Sequence, residues 1–217
     1  IGKRQISDIE PTELLAALRK IEERGALETA DRALMLCRQI WRYAIATGRS
    51  ERDATFGLKE ALTPYRGTHF AAITDPEKLG ALLRSIDAYK GGVIVRTALQ
   101  LAPMLFQRPG ELRAAAWPEL DLEQGLWTIP AARMKQGKDG KENGEPHLVP
   151  LPRQAVVLLR QLERYTGHGR LVFPGERDHE RAISDNSVRA ALIAMGYTSD
   201  LQTWHGFRAT ARTMLAE

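Results

Sequence analysis

The chain has 217 residues, enough for one large domain or two small ones, and its 43% hydrophobic content is normal for a packed globular protein. A single cysteine, Cys37, excludes an intramolecular disulfide and a cysteine-built zinc site, and it points to a reducing, cytoplasmic setting. No apolar run reaches membrane-spanning length, the first residues lack the pattern of a secretory leader, and the formal net charge of +4 suits a polyanionic partner without requiring one.

Asp8-Ile9-Glu10-Pro11 leads into a first helix, with Pro11 suited to its first position and Leu14, Leu15, Leu18 and Ile21 at helical spacing until Gly25. Thr29 is the expected cap of a second helix, whose apolar stripe is Ala33, Leu34, Cys37, Ile40, Trp41, Ala44 and Ile45, ending at Gly48. Cys37 on that stripe reads as buried filler rather than a nucleophile. The polar faces carry Arg19, Lys20, Arg32, Arg38 and Arg42, which suit either plain solvation or a DNA backbone. From Ser50 to Ile73 the periodicity fades into irregular structure, and a domain boundary is expected there, with residues 67–73 as the linker.

Thr74-Asp75-Pro76-Glu77 reads as a capping box opening a helix through Leu79, Leu82, Leu83 and Ile86. The apolar segment Val93 to Leu105 is long enough for a buried helix rather than a strand. It delivers the chain to Gln107-Arg108-Pro109-Gly110-Glu111-Leu112-Arg113, where Pro109 starts another helix and Arg108 stands just ahead of it. Arg108 can either reach across the surface or pair with Glu111 and stabilise the bend. Leu120–Leu122, Leu126–Ile129 and His147–Leu151 read as a small antiparallel sheet. The long connection before the third strand, containing Arg133-Met134-Lys135-Gln136-Gly137-Lys138 and Lys141, suits a solvated loop or a hairpin that closes on nucleic acid. Helices follow from Pro152 to about Tyr165 and from Ser184 to Gly196, with an exposed stretch around Asp178–Arg181 between them.

The last element is Thr203-Trp204-His205-Gly206-Phe207-Arg208-Ala209-Thr210-Ala211-Arg212. His205 and Arg208, three apart, project from one face of the first turn of a helix, beside backbone N–H groups that favour an anion. A phosphate fits there, although an exposed His-x-x-Arg is commonly just solvated.

In order and spacing, Arg108-Pro109-Gly110-Glu111-Leu112 after an apolar helix, a lysine between two strands, and His205-Gly206-Phe207-Arg208 resemble the tyrosine recombinase (phage integrase) family, in the wording of prophage and genomic-island integrases. The resemblance covers nearly the whole chain. It implies an α+β, mainly α-helical protein: a helical core-binding domain over residues 1–66, the linker 67–73, and a catalytic domain over 74–217 with a small antiparallel sheet. The implied activity is site-specific DNA recombination through a 3′-phosphotyrosyl intermediate, with no metal or nucleotide cofactor. Arg108 and Arg208 would hold the non-bridging oxygens of the scissile phosphate, where a planar guanidinium fork serves better than lysine. His205 would donate to the same phosphate or take part in proton transfer, and Lys135, with Lys138 as runner-up, would protonate the leaving 5′ oxygen.

The family also has a second His or Trp and then the nucleophilic tyrosine beyond the His-x-x-Arg helix. Tyr43, Tyr65, Tyr89, Tyr165 and Tyr197 all precede Arg208, so the chain reads as a fragment lacking that segment and the domain that binds arm-type sites, inactive in cleavage and monomeric alone. Expected partners are double-stranded DNA at attachment sites, a homo-tetramer on paired sites, and host DNA-bending factors, with no membrane. Competing readings are a type IB topoisomerase, a DNA-binding protein of the same fold without catalysis, and a helical protein with no nucleic-acid role.

Overall fold

The computed structural model describes residues 2–65, 67, 70–134 and 138–216, with the side chain of Lys138 excepted. The chain divides into two compact units, Ile1–His69 and Phe70–Glu217.

The first unit is built on α1 (Pro11–Glu22) and α2 (Leu27–Ala46), packed against each other. Pro11 occupies the first position of α1, and the Glu13 carboxylate accepts from the Glu10 backbone N–H at 3.1 Å, so the helix start is held without a Ser or Thr. Gly25 takes φ +75° in the link, a conformation closed to most side chains. Leu14 and Leu18, one turn apart, meet Leu34 and Trp41 in the core, each buried leucine contributing about 1.5–3 kcal/mol. Ala54, Leu58 and Leu62 complete that core, so much of the aperiodic stretch after Ser50 is a run of turns packed on the helices. Two details differ from the sequence reading. α2 begins at Leu27, ahead of Thr29, and Ile40 and Ile45 are 55% and 41% exposed, because the face buried against α1 runs through Ala30, Leu34, Trp41 and Ala44. Cys37 packs half-buried against this core, and burial pushes its thiol pKa up.

In the second unit α3 (Pro76–Ala88) starts one residue later than the capping box suggested. Asp75, not Thr74, is the cap, its carboxylate accepting from the Lys78 N–H at 2.9 Å. α4 (Val93–Leu105) is the hub of the unit: α3 and later helices of the unit pack on it, which is why Ala98, Leu99, Leu101 and Leu105 are buried on more than one face. α5 (Pro109–Arg113) follows after a sharp turn. The sheet is three antiparallel strands in sequence order, β1 (Leu120–Asp121), β2 (Leu126–Ile129) and β3 (His147–Pro150), with Trp127 opposite Val149 and Ile129 opposite His147. Trp127, Ile129 and Val149 face the core.

Between β2 and β3 the chain is not simply a loop: a 3-10 turn over Ala131–Arg133 and a short helix α6 (Lys138–Asn143) occupy it. α7 (Arg153–Thr166) and α8 (Asp185–Ala194) pack their apolar faces on α4, and the Ser184 hydroxyl caps α8 by accepting from the Ser187 N–H. α9 (Gly206–Met214) is the last helix among the described residues, with Phe207 fully buried.

Candidate active site

The turn that carries His205 and Arg208 is fixed by Thr203. Its hydroxyl accepts from the Gly206 N–H at 2.9 Å and donates to the Ala71 carbonyl at 3.3 Å, while its own N–H donates to that carbonyl at 3.0 Å. Residues 71–73 are thereby strapped across the start of α9. The Ile73 N–H donates to buried Gln202 at 2.7 Å, and the Thr210 hydroxyl donates to the Ile73 carbonyl at 2.8 Å. This closeness accounts for Gly206: a Cβ there would stand 2.1 Å from the Ala71 oxygen. His205 immediately precedes α9, exposed, its ring stacked on Phe70 at 4.6 Å between centroids and 13° between planes.

Arg208, one turn further on, sends Nη1 to the carbonyl of Phe106 at 2.6 Å. Among the described residues Phe106 is the one non-glycine in the left-handed region, with φ 40° and ψ 30°. That conformation costs about 1–2 kcal/mol. It ends α4 and reverses the chain within two residues of Arg108. The guanidinium of Arg208 therefore arrives beside the backbone that introduces Arg108.

Arg108 is the residue just before α5, with Pro109 at the first helical position. Glu111, 4% exposed, holds it twice: Oε2 accepts from the Arg108 backbone N–H at 3.1 Å and Oε1 from its Nη1 at 2.6 Å. The pairing weighed from sequence is thus present. It leaves the Arg108 side chain 37% exposed, so the same fork retains donors toward solvent. A buried carboxylate satisfied in this way is a rigid support, and removing either partner would leave the other's charge poorly compensated.

Arg133 and Glu119 were not singled out by the sequence. The Arg133 Nη1 bonds both Glu119 oxygens, at 2.8 and 3.0 Å, and also the Ala114 carbonyl, while Nη2 bonds the Glu111 carbonyl at 2.8 Å. Glu119 additionally accepts from Nε1 of fully buried Trp127 at 3.0 Å. The partners lie 14 to 22 positions away from Arg133, so no local pattern reveals them. Lys135 lies outside the described residues. Lys138 begins α6, and its side chain lies outside them as well.

The elements of Arg108, His205 and Arg208 are therefore brought together around the end of α4, placing two guanidinium groups and an imidazole beside a helix start. That is a geometry for an anion with several oxygens. Two family models match the sequence: "Phage integrase central domain" over residues 1–61 and "Phage integrase family" over residues 73–217.

The chain belongs to the phage integrase family.

The integrase of Enterobacteria phage P4 is 34% identical to it over 223 residues, covering 100% of this chain and 51% of the relative. The prophage integrase IntZ of Escherichia coli K12 is 35% identical over 217 residues, again covering 100% and 51%. This integrase chain spans about half the length of the curated relatives it matches. Its fold is similar to that of lambda integrase solved as a dimer bound to a core site, with a TM-score of 0.66 at 18% identity, covering 96% of this chain and 71% of that one. It is also similar to the Tn1549 transposon integrase in complex with circular intermediate DNA, with a TM-score of 0.70 at 13% identity, covering 99% and 75%. The mainly helical architecture with its three-stranded antiparallel sheet is the integrase fold. Among the described residues no helix is long and apolar enough to cross a membrane.

Proposed function

We propose that this chain is the DNA-embracing and phosphate-holding part of a tyrosine site-specific recombinase, acting on double-stranded attachment-site DNA. The observation that carries the reading is the bond from Arg208 Nη1 to the Phe106 carbonyl, which joins the His-x-x-Arg turn to the approach of the Arg-Pro-Gly-Glu helix. Family membership and the DNA-bound state of structurally similar integrases support it.

In this reading a tyrosine, placed C-terminal to Glu217 in the longer protein, attacks the scissile phosphorus through its phenolic oxygen. The P–O5′ bond breaks as the 3′-phosphotyrosyl bond forms. Arg108 and Arg208 neutralise the non-bridging oxygens as charge builds on them. His205 donates to the same phosphate or accepts the tyrosine's proton. Lys135, or Lys138, gives its ammonium proton to the departing 5′ oxygen, and the reverse sequence rejoins the strand. No metal or nucleotide takes part. The working assembly is a tetramer on paired sites, as lambda integrase has been solved on a Holliday junction, with host DNA-bending factors as further candidate partners.

The test uses the protein at the length of its relatives, incubated with a nicked attachment-site duplex and run on a denaturing gel. The nick lets the short product leave, so a covalent protein–DNA band accumulates. A band that is lost with Arg108→Ala or Arg208→Ala supports the reading. Salt-sensitive binding with no band would instead mean an integrase fold that binds DNA without catalysis.

A further inference from the structure

We infer that Phe70 is a positioning residue that sets the plane of the His205 imidazole. The inference rests on the reading of His205 as the group that donates to the scissile phosphate or takes the tyrosine's proton. Phe70 is 63% exposed, and a lone surface phenylalanine ordinarily needs no explanation. Here its ring lies nearly parallel to the imidazole, 4.6 Å between centroids and 13° between planes. That separation is one at which aromatic rings attract beyond what their burial contributes.

A phenyl ring suits this task. An imidazole turns readily about its outer torsion, and its two nitrogens donate and accept only in the plane of the ring. A group that held His205 by a hydrogen bond would occupy one of those nitrogens. Phenylalanine has neither donor nor acceptor, so covering one face fixes the plane and leaves the ring edge for chemistry. Arg108 and Arg208 are steered differently, each through a bond to an oxygen, because a guanidinium has five N–H donors and can give one up.

A stack can position its partner only if the stacking ring is itself held. Phe70 is followed at once by the residues strapped across the start of α9. The Ala71 carbonyl accepts from both the N–H and the hydroxyl of Thr203, and Ile73 is fixed through its N–H by Gln202 and through its carbonyl by Thr210. Gln202 and Thr203 precede His205 in the chain and Thr210 follows it, so the backbone that carries Phe70 is tied to the backbone on both sides of the imidazole. Gly206 allows the close approach. The two rings therefore share one frame.

The test uses the protein at the length of its relatives, a nicked attachment-site duplex, and the variants Phe70→Leu, Phe70→Tyr, His205→Ala and Phe70→Leu with His205→Ala. Because Phe70 is largely exposed, all of them should fold. The rate of covalent-complex formation is read in a single turnover at saturating protein, and DNA affinity is read separately. Phe70→Leu is expected to slow that rate by about 10- to 100-fold, up to the loss that a misplacement of about 1 Å can cause, with affinity retained. Phe70→Tyr keeps the ring and should restore most of the rate. In the His205→Ala background Phe70→Leu should slow the reaction no further, since the two residues act as a unit. The His205 imidazole proton signal, identified by its absence in His205→Ala, should shift when Phe70→Leu removes the ring current. An unslowed Phe70→Leu, a loss equal in both backgrounds, a loss confined to DNA affinity, or an imidazole signal that stays in place overturns the inference. If His205→Ala cleaves at full rate while Arg208→Ala does not cleave, the role of His205 fails and this inference with it. If the unsubstituted protein forms no covalent product, the recombinase reading itself fails and takes the inference with it.

Discussion

Two glycines in the site motifs differ in what their neighbours permit. A Cβ at Gly206 would collide with the Ala71 oxygen, whereas one at Gly110 would meet nothing within 4 Å. Gly206→Ala is therefore expected to displace the 71–73 strap and lower the melting temperature, with loss of amide protection at the start of α9. Gly110→Ala is expected to raise stability by about 0.5–1 kcal/mol, since it removes the backbone entropy cost of glycine in a helix without a clash. Opposite shifts in thermal unfolding check both; equal shifts would mean that the strap does not press on α9. At the same scale, Glu111→Ala removes the buried carboxylate that orients the part-exposed Arg108 and should cost about 1.5–3 kcal/mol, the magnitude of hydrogen bonds to a charged group. Denaturant titration measures it. A loss within about 0.5 kcal/mol, the size of a surface substitution, would show the pair to be incidental.

Among the elements, α9 depends on a residue outside its helical span. Thr203 caps it through its hydroxyl and holds the strap through the same oxygen. Thr203→Val should cost about 1 kcal/mol, the usual value of a cap, and Thr203→Ser should restore most of it. Hydrogen exchange at Phe207 and Arg208 reads the change directly. Several elements were readable from residue order alone. α4 is long, apolar and unbroken by polar spacing, and α5 opens with proline at its only comfortable helical position. β2 alternates as a half-buried strand should. The misses have local causes. Asp75 outcompetes Thr74 because Pro76 sets the first helical residue one place later, and α2 starts before Thr29 because packing on α1 extends it. α6 was hidden because its lysines and glycine read as a mobile loop. In the site, Arg108, His205 and Arg208 stand out by type and spacing. The Phe106 carbonyl and the Glu119–Arg133 pair do not, since their contacts span many residues of chain and exist only after folding.

At the scale of the whole molecule, charge makes a small contribution to stability and offers a test of the proposed DNA contact. In the first unit the Arg52 guanidinium, bonded to the Glu10 carboxylate, holds the Glu10 pKa below its ordinary value, and the Glu10 backbone N–H and then Arg4 do the same for Glu13. Carboxylates depressed on folding stabilise above their unfolded pKa, and that stability is lost as pH falls through the lowered folded value. Amide exchange in α1 should therefore quicken on acidification below the ordinary glutamate range. Glu10→Gln should flatten the response, which stays small because these groups are exposed. For the partner, Arg38 and Arg42 line one face of the first unit beside Phe56, which is 88% exposed. If they meet DNA phosphates, affinity falls steeply with salt, and Arg38→Ala or Arg42→Ala should each lessen the log–log slope by about one. Anisotropy titrations across a salt series measure this, and unchanged slopes would move the contact elsewhere.

The proposed function requires Arg108 and Arg208 to converge on one phosphate, and the most direct measurement is cleavage by the full-length protein of a duplex whose scissile phosphate is replaced by neutral methylphosphonate. On ordinary phosphate, Arg108→Ala and Arg208→Ala should each slow cleavage by about 10²–10³-fold, the cost of losing one donor to developing charge. With a charged oxygen already gone, each should be slowed far less. Equal slowing on both substrates would contradict the claim.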